Sequence, residues 1–267
     1  MSRIRVPAGG KLQMLGATID ALTMEQAVER CELAIESGQP LRQMSVNTAK
    51  LVALQDDAAM REAMAGCGLV TADGQGVVWA ARLLGARLPQ RVAGIDLMHR
   101  LLGVANEKGY RVYILGARRE VLDVALKRIR NRYPQLILIG SRDGYFEPSE
   151  TADVCEEIRA VRPDILFIAM SSPKKEHFLG ECVSETEVPF AMGVGGAVDI
   201  IAGLTRRAPP LLQRLGLEWA YRLAQEPRRL APRYLSTNVR FAWMLLRALF
   251  TGHASAVAGE ASDGRIA

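Results

Sequence analysis

A glycine-rich turn near cationic side chains is the most informative feature of the chain. Gly193, Gly195 and Gly196 follow a short apolar segment, a helix start containing Asp199 comes next, and Arg207 follows it. Backbone N–H groups at the start of a helix suit an anionic group such as a phosphate. The same glycines also fit a tight turn with close helix packing. The turn alone therefore leaves a phosphate site and a purely structural turn open.

Asp73 is the candidate for acid–base chemistry. It follows the end of a predicted strand, and Gly74 and Gly76 lie between it and the apolar helical segment 77–84. A carboxylate at a strand end can project into a cleft and accept a proton from a substrate. An aspartate in this position can also cap the helix, which is worth about 1 kcal/mol. Both roles remain open for Asp73 at this point.

Cationic residues occur in two further turns. Lys174 and Lys175 lie at a predicted helix start together with Glu176, and Arg91 lies shortly before another helix. Paired lysines favour a diphosphate, although exposed charge runs at helix starts are common. Arg91 either holds a phosphate or pairs with Asp96. These cations make an anionic substrate the main hypothesis for this region.

The elements that must position these residues alternate along the chain. The predicted strands are 43–46, 69–71, 111–115, 136–139, 165–169 and 190–192, with amphipathic helical segments between them. Such alternation predicts right-handed crossovers and an α/β fold with a doubly wound, mainly parallel, Rossmann-like sheet. Ligands bind beyond the carboxyl ends of such strands, so the polar turns around Asn47, Asp73, Lys174 and Gly193 should converge.

The composition changes after residue 204. We expect a Rossmann-like catalytic domain over residues 1–204 and a basic amphipathic helical appendage over 205–250, in which arginines alternate with leucine and aromatic residues. Such an appendage suits an anionic membrane surface, where each Lys or Arg contributes on the order of 1 kcal/mol. Helices packed on the main domain are the alternative. Residues 251–267, rich in Ala, Gly and Ser, are predicted to be a disordered tail.

The bulk composition limits the class of protein. The chain has 267 residues, a hydrophobic fraction of 49% and a net charge of +5, which fits a globular protein with an anionic partner. The arginines lie among Trp and Leu residues rather than along a polar groove, which argues against nucleic acid. The N-terminus has no apolar segment of signal-peptide length, and no part of the chain approaches the roughly 20 apolar residues of a membrane span, which predicts a cytoplasmic protein.

Metal and disulfide sites are not expected. The four cysteines and three histidines are scattered singly, without the paired spacing of a zinc site, and the cysteines are predicted to be reduced packing residues. No D-x-D element suited to a nucleotide-bound metal occurs in a convincing position. We therefore expect no metal and no other cofactor.

Five motifs follow one another between roughly residues 12 and 235. They are T-A-D-G-Q-G from Thr71, R-V-A-G-I-D from Arg91, S-P-K-K-E from Ser172, G-V-G-G-A-V-D from Gly193 with R-A-P from Arg207, and G-L-E-W-A-Y-R-L from Gly216 with E-P-R-R from Glu226. Together they resemble the WecG/TagA/CpsF family of bacterial glycosyltransferases, glycosyltransferase family 26. No single motif carries the resemblance alone.

The resemblance implies an activity and partners. It implies inverting transfer of N-acetylmannosamine, its uronic acid or glucose from a UDP-sugar to a polyprenyl-diphosphate-linked sugar during assembly of a surface glycan. The protein would then be peripheral on the cytoplasmic face of the inner membrane, in contact with anionic lipids. A homo-oligomer is compatible with the sequence.

The resemblance also implies roles for particular residues. Asp73 corresponds to the proposed general base, and the residue that matches Arg91 is implicated in activity. Arginines of the appendage would complete the site over the diphosphate, whereas Asp199 is interpreted as a structural residue at a helix start. The substrate-binding residues expected from the strand-end turns and the resemblance together are Ser45, Asn47, Thr48, Gly74, Lys174, Lys175, Glu176, Gly193, Gly195, Gly196, Arg207, Arg222, Arg229 and Arg233.

One position departs from the family pattern. The family usually has G-x-P-K-Q-E, whereas Lys175 replaces the glutamine here. If that glutamine touches a substrate, Lys175 points to a different, acidic sugar, although the family member with an acidic donor keeps glutamine.

Two other functions remain as alternatives. A nicotinamide-dependent oxidoreductase fits poorly because Val198 replaces the third glycine of the dinucleotide fingerprint and the turn comes late in the chain. A non-catalytic membrane scaffold for glycan assembly is the other.

Overall fold

Two β-sheets are present in the residues that the structure, a computed structural model, describes, namely 9–251 and 254–257. In chain order the strands are β1 (Lys11–Met14), β2 (Ala17–Asp20), β3 (Leu41–Val46), β4 (Leu69–Ala72), β5 (Arg111–Gly116), β6 (Ile137–Arg142), β7 (Ile165–Ala169), β8 (Phe190–Gly193) and β9 (Ala254–Val257). The larger sheet has the order β4-β3-β8-β7-β5-β6, and all its pairs are parallel. The doubly wound parallel sheet predicted from the sequence is confirmed.

Helices connect the strands and form the appendage. They are α1 (Met24–Ser37), α2 (Thr48–Ala53), α3 (Ala58–Ala65), α4 (Gln75–Leu83), α5 (Gly94–Lys108), α6 (Arg119–Arg132), α7 (Thr151–Val161), α8 (Lys174–Glu181), α9 (Ala197–Ala202), α10 (Pro210–Arg214), α11 (Glu218–Gln225) and α12 (Pro227–Thr251). Helix α1 begins with a capping box, in which the backbone N–H of Gln26 donates to the Thr23 hydroxyl and that of Thr23 donates to the Gln26 side chain.

The hydrophobic core has two layers, one on each face of the larger sheet. In β5, Tyr113 and Leu115 pack into one layer, and Val112 and Ile114 pack into the other. Successive strand residues point to opposite faces, so a strand covered by helices on both sides must be apolar throughout. The first layer includes side chains of α2, α3, α4, α7, α8 and α12, and the second includes those of α1, α5, α6 and α9.

The appendage, α10 to α12, packs against the main domain. Met244 and Ala248 of α12 are buried, and Phe241 and Leu245 contact the core layer that includes α2. At the surface, the Arg240 guanidinium donates to the Asp56 carboxylate at 2.7 Å. None of the helices in residues 9–251 is both long and apolar enough to span a membrane.

The smaller sheet differs from the expectation for the tail. Its strand order is β2-β1-β9, with β1 antiparallel to both neighbours. The prediction of a disordered tail is therefore wrong for Ala254–Val257, because this segment supplies backbone hydrogen-bond partners to β1. The other tail residues, 252, 253 and 258–267, lie outside the described residues.

Candidate active site

A cleft of about 460 Å³ lies at the carboxyl ends of β3, β4 and β8, between the main domain and the appendage. The predicted site residues that line it are Ser45, Asn47, Thr48, Asp73, Gly74, Arg91, Lys175, Gly193, Gly195, Gly196 and Arg222. Their turns converge because neighbouring parallel strands end at the same edge of the sheet. The side chains of Arg229 and Arg233 lie outside the described part of the structure.

Asp73 lies at the start of the turn between β4 and α4 and is half-buried. It does not cap α4, whose N-cap is Gly74 without a side-chain bond. Instead its Oδ1 accepts a hydrogen bond from the backbone N–H of Gly94, the first residue of α5, at 3.3 Å. Burial raises the pKa of the Asp73 carboxyl, the positive charge of Arg91 opposes this shift, and the negative charge of Glu218 adds to it. The hydrogen bond from the first residue of α5 therefore orients the Asp73 carboxylate in the cleft.

The glycine turn forms one wall of the cleft, and two of its backbone N–H groups already have an acceptor within the protein. The backbone N–H groups of Val194 and Gly195 both donate to the Ile168 carbonyl, at 2.9 and 3.3 Å. A Cβ atom at Gly193 would lie 3.4 Å from Cδ and Cε of Lys175. The stem of Lys175 thus packs along Gly193, and its ammonium group brings positive charge to this wall.

Lys174 and Lys175 point in different directions. The Lys174 ammonium donates to the carbonyls of Gly144 and Phe146, at 3.1 and 3.2 Å, and lies 4.2 Å from the centre of the Phe146 ring. Neighbouring residues of a helix differ by about 100° in direction, so the two lysines leave α8 toward different surroundings. Lys175 lines the cleft and Lys174 does not. The prediction that both lysines face one diphosphate is wrong.

Arg207 also lies outside the lining of the cleft. Its guanidinium donates to both oxygens of Asp96, at 2.6 and 2.7 Å, in a bidentate pair. Asp96 is therefore the partner of Arg207, and the predicted alternative of an Arg91–Asp96 pair is wrong. Arg91 instead donates to Glu218 of the appendage at 3.1 Å.

Glu218 is a site residue that the sequence analysis did not single out. Its carboxylate is 3.1 Å from Arg91 and 3.9 Å from both Arg207 and Arg222. The side chain is 18% exposed, so these ion pairs are only partly screened by water. Its place inside the G-L-E-W motif was the available signal. Glu218 joins cations of the main domain to those of the appendage.

Lys50 is the second missed residue. It lies in the first turn of α2, and its ammonium donates to the Ser45 carbonyl at 2.6 Å. The same ammonium is 2.9 Å from Oε1 of Glu176, and the Lys175 ammonium is 2.7 Å from that oxygen. Glu176 is 1% exposed and lies behind the cleft rather than in its lining. The signal available in the sequence was position, because Lys50 comes three residues after the strand-end residue Asn47.

Aromatic side chains lie at the rim of the cleft. The sequence placed them in the appendage or in a helix and did not predict them as site residues. Trp79 of α4, Trp219 of α11 and Tyr234 of α12 line the cleft. The rings of Trp219 and Tyr234 meet edge to face with centroids 6.3 Å apart. Such a rim can contact a sugar ring or an apolar chain.

Neither a metal-binding cluster nor a disulfide is present in the part of the chain that the structure describes. In the described residues, no three His, Cys, Asp or Glu side chains form such a group. The cysteines Cys31, Cys67, Cys155 and Cys182 are free and buried, as predicted.

Comparison with known protein families identifies the family of this chain. The model of the glycosyl transferase WecG/TagA/CpsF family matches residues 12–255, which include every residue of the cleft named above. The match indicates a glycosyltransferase of cell-surface glycan synthesis and therefore argues against the oxidoreductase alternative. The chain belongs to the WecG/TagA/CpsF family of glycosyl transferases.

Proposed function

We propose that the protein transfers a sugar, with inversion, from a UDP-sugar to a polyprenyl-diphosphate-linked sugar. The observation that carries this proposal is the position of Asp73, a half-buried carboxylate in a cleft that also contains Arg91 and Arg222. A base beside cations is the arrangement that displacement of an anionic leaving group requires.

The proposed reaction is a single displacement. The acceptor hydroxyl oxygen attacks the anomeric carbon, and the bond from that carbon to the UDP oxygen breaks as the new bond forms. The electron pair leaves with UDP, and Asp73 takes the proton of the hydroxyl. Because attack comes from the face opposite the leaving group, one displacement inverts the anomeric configuration. The raised pKa of Asp73 makes its carboxylate a better proton acceptor than an exposed aspartate.

Arginines supply the positive charge in this proposal. Arg91 and Arg222 line the cleft, and both lie within 4 Å of Glu218, which orients them. A guanidinium group can bind two oxygens of a diphosphate at once, which fixes its direction as well as its charge. The proposed mechanism therefore needs no metal ion to stabilise departing UDP.

The appendage supports a peripheral position on the cytoplasmic face of the inner membrane. Five apolar side chains of α12 are exposed at spacings of four, four, three and four residues: Leu235, Val239, Trp243, Leu246 and Phe250. These spacings place them on one side of the helix, which we call the apolar stripe. Arg247 lies over the Trp243 ring at 5.6 Å, which brings a cation to the same surface. A polyprenyl acceptor in the membrane would then lie near the cleft.

The substitution Asp73→Asn tests the proposal. It keeps the shape of the side chain but removes the base, so turnover should fall by roughly 10²- to 10⁴-fold while the fold is retained. The measurement is UDP release from a panel of UDP-sugars with a short-chain polyprenyl-diphosphate-linked amino sugar as acceptor, with circular dichroism as the check on folding.

A matched control is available for this test. Asp123→Asn makes the same chemical change on the surface of α6, where Asp123 pairs with the exposed Arg119, and should leave turnover unchanged. Near wild-type turnover of Asp73→Asn would contradict the assigned base. A wild-type protein that turns over no UDP-sugar would instead favour the scaffold alternative.

A further inference from the structure

Two lysines share one buried carboxylate at the inner wall of the cleft. The ammonium groups of Lys50 and Lys175 lie 2.9 and 2.7 Å from the same oxygen of Glu176. The lysine side chains are 8% and 12% exposed, and the Glu176 side chain is 1% exposed. Two positive charges therefore face one negative charge where little water reaches them. The remaining positive charge is directed at the cleft, which both lysines line.

Two of the backbone N–H groups at this wall are already bound within the protein. The N–H groups of Val194 and Gly195 are bound to the Ile168 carbonyl, as described above. The stem of Lys175 passes along Gly193, and its Nζ would lie 3.8 Å from a Cβ at Gly195. The ammonium groups of Lys50 and Lys175 are thus the positively charged donors at the inner wall.

The charge balance favours an anion in this place. Burial and the neighbouring charge of Lys50 lower the pKa of Lys175 to about 8, while the charges of Glu176 and Asp73 oppose that shift. These groups come from α2, from α8 itself and from the turn after β4. A further negative charge in the cleft would stabilise the ammonium form of Lys175.

We propose that Lys50 and Lys175 form a subsite for the carboxylate of an acidic sugar, so that the transferred residue is a hexuronate. This inference rests on the proposed transfer from a UDP-sugar. One surplus positive charge matches one carboxylate, whereas a diphosphate carries more charge and is matched by the guanidinium groups of Arg91 and Arg222. The charge of Arg91 acts on Asp73 and the charge of Asp73 acts on Lys175, so the proposed base is near both groups of cations.

Isothermal titration with matched ligands tests the subsite. The probes are UDP, a UDP-hexose and the corresponding UDP-hexuronate, in the glucose and the N-acetylmannosamine series. Wild-type protein should prefer one hexuronate over its neutral partner, and Lys175→Met should weaken that ligand roughly ten- to a hundredfold, the effect of one charge-assisted hydrogen bond. Binding of UDP and of the UDP-hexose should change less than about twofold. Lys174→Met is the matched control, because its ammonium contacts Gly144 and Phe146 instead of the cleft.

Proton uptake gives a second readout that needs only the wild-type protein. At pH 8, near the pKa of Lys175, binding of the hexuronate should take up as much as about half a proton, seen as a dependence of the binding heat on the buffer. The neutral UDP-hexose should take up less.

Three outcomes would overturn the inference. Equal binding of hexose and hexuronate by the wild-type protein would exclude a carboxylate subsite while leaving UDP-sugar transfer intact. If Lys175→Met weakened the binding of UDP as much as that of the UDP-hexuronate, the lysines would bind a phosphate instead. A wild-type protein that binds no UDP ligand would overturn the proposed function and this inference together.

Discussion

At the scale of single residues, Glu218 connects the proposed base to the appendage. Its carboxylate pairs with Arg91 and lies near Arg222, while its negative charge contributes to the raised pKa of Asp73. The residue therefore has two effects on the cleft. It holds cations in place, and it makes the neighbouring carboxylate harder to ionise.

The substitution Glu218→Gln separates these effects through the pH profile. A base must be deprotonated to act, so kcat/KM falls as the pH drops through the pKa of Asp73. Removing the negative charge of Glu218 lowers that pKa, so the acidic limb should move to lower pH. The measurement is kcat/KM against pH for the wild type, Glu218→Gln and the control Glu107→Gln, whose side chain is exposed on α5. If the acidic limb did not move in Glu218→Gln, Glu218 would have only a structural role.

The sequence predicted the residues that follow strand ends better than those that depend on helix direction. Asp73 and Asn47 line the cleft because each comes directly after a strand of the parallel sheet. Lys174 was expected beside Lys175, but the turn of α8 directs it to Gly144. Lys50 was missed because its role depends on meeting Glu176 from another helix, a contact that no local pattern encodes.

At the scale of elements, Gly216 determines how closely the appendage approaches α4. Its φ of 67° lies in the left-handed region, and a Cβ there would fall 2.7 Å from Cγ of Gln75 and 2.8 Å from the Trp79 ring. A side chain of any size would therefore push the start of α11 away from the main domain. Since α11 carries Glu218 and Arg222, that movement would displace two residues of the cleft.

Gly216→Ala should lower kcat/KM by roughly tenfold or more, because even a displacement of about 1 Å can cost far more than tenfold in rate. Gly38→Ala is the matched control. Gly38 has the same φ of 67° but no atom within 4 Å of its Cβ position, so it bears the backbone strain without the clash. Both variants should lose about 1–2 kcal/mol of stability to that strain, measured by urea unfolding. Equal activity of the two variants would contradict the role of Gly216 in docking.

The sequence predicted helices and strands correctly where the hydrophobic pattern was long or was bounded by capping residues or proline. Helix α1 begins at a capping box whose Thr23 and Gln26 are visible in the sequence, and α6 ends shortly before Pro134. The hairpin of β1 and β2 was missed because these short strands mix polar and apolar residues, whereas the equally short β4 and β8 are buried throughout. Strand β9 was missed because its pairing with β1 joins opposite ends of the chain.

At the scale of the whole molecule, the appendage has two opposite faces. One face of α12 buries Met244 and Ala248 against the main domain, and Phe241 lines the cleft. The opposite face carries the apolar stripe, in which Phe250 is 88% exposed. A helix that is apolar on both sides requires a second apolar environment, and a lipid surface meets that requirement beside a cleft proposed to take a lipid-linked substrate. Removing the whole appendage would uncover the core, so substitutions on the stripe are the sharper experiment.

The double substitution Val239→Glu and Leu246→Glu should abolish co-sedimentation with anionic liposomes. Each change replaces an exposed apolar side chain of the stripe by a negative charge and should weaken binding roughly tenfold or more. Neither residue lines the cleft, so titration with soluble UDP-sugar should give unchanged affinity. Leu33→Glu, on α1 and equally exposed at 61%, is the matched control and should sediment like the wild type. Unchanged sedimentation of the double variant would mean that the stripe does not contact lipid and that another surface carries any membrane binding.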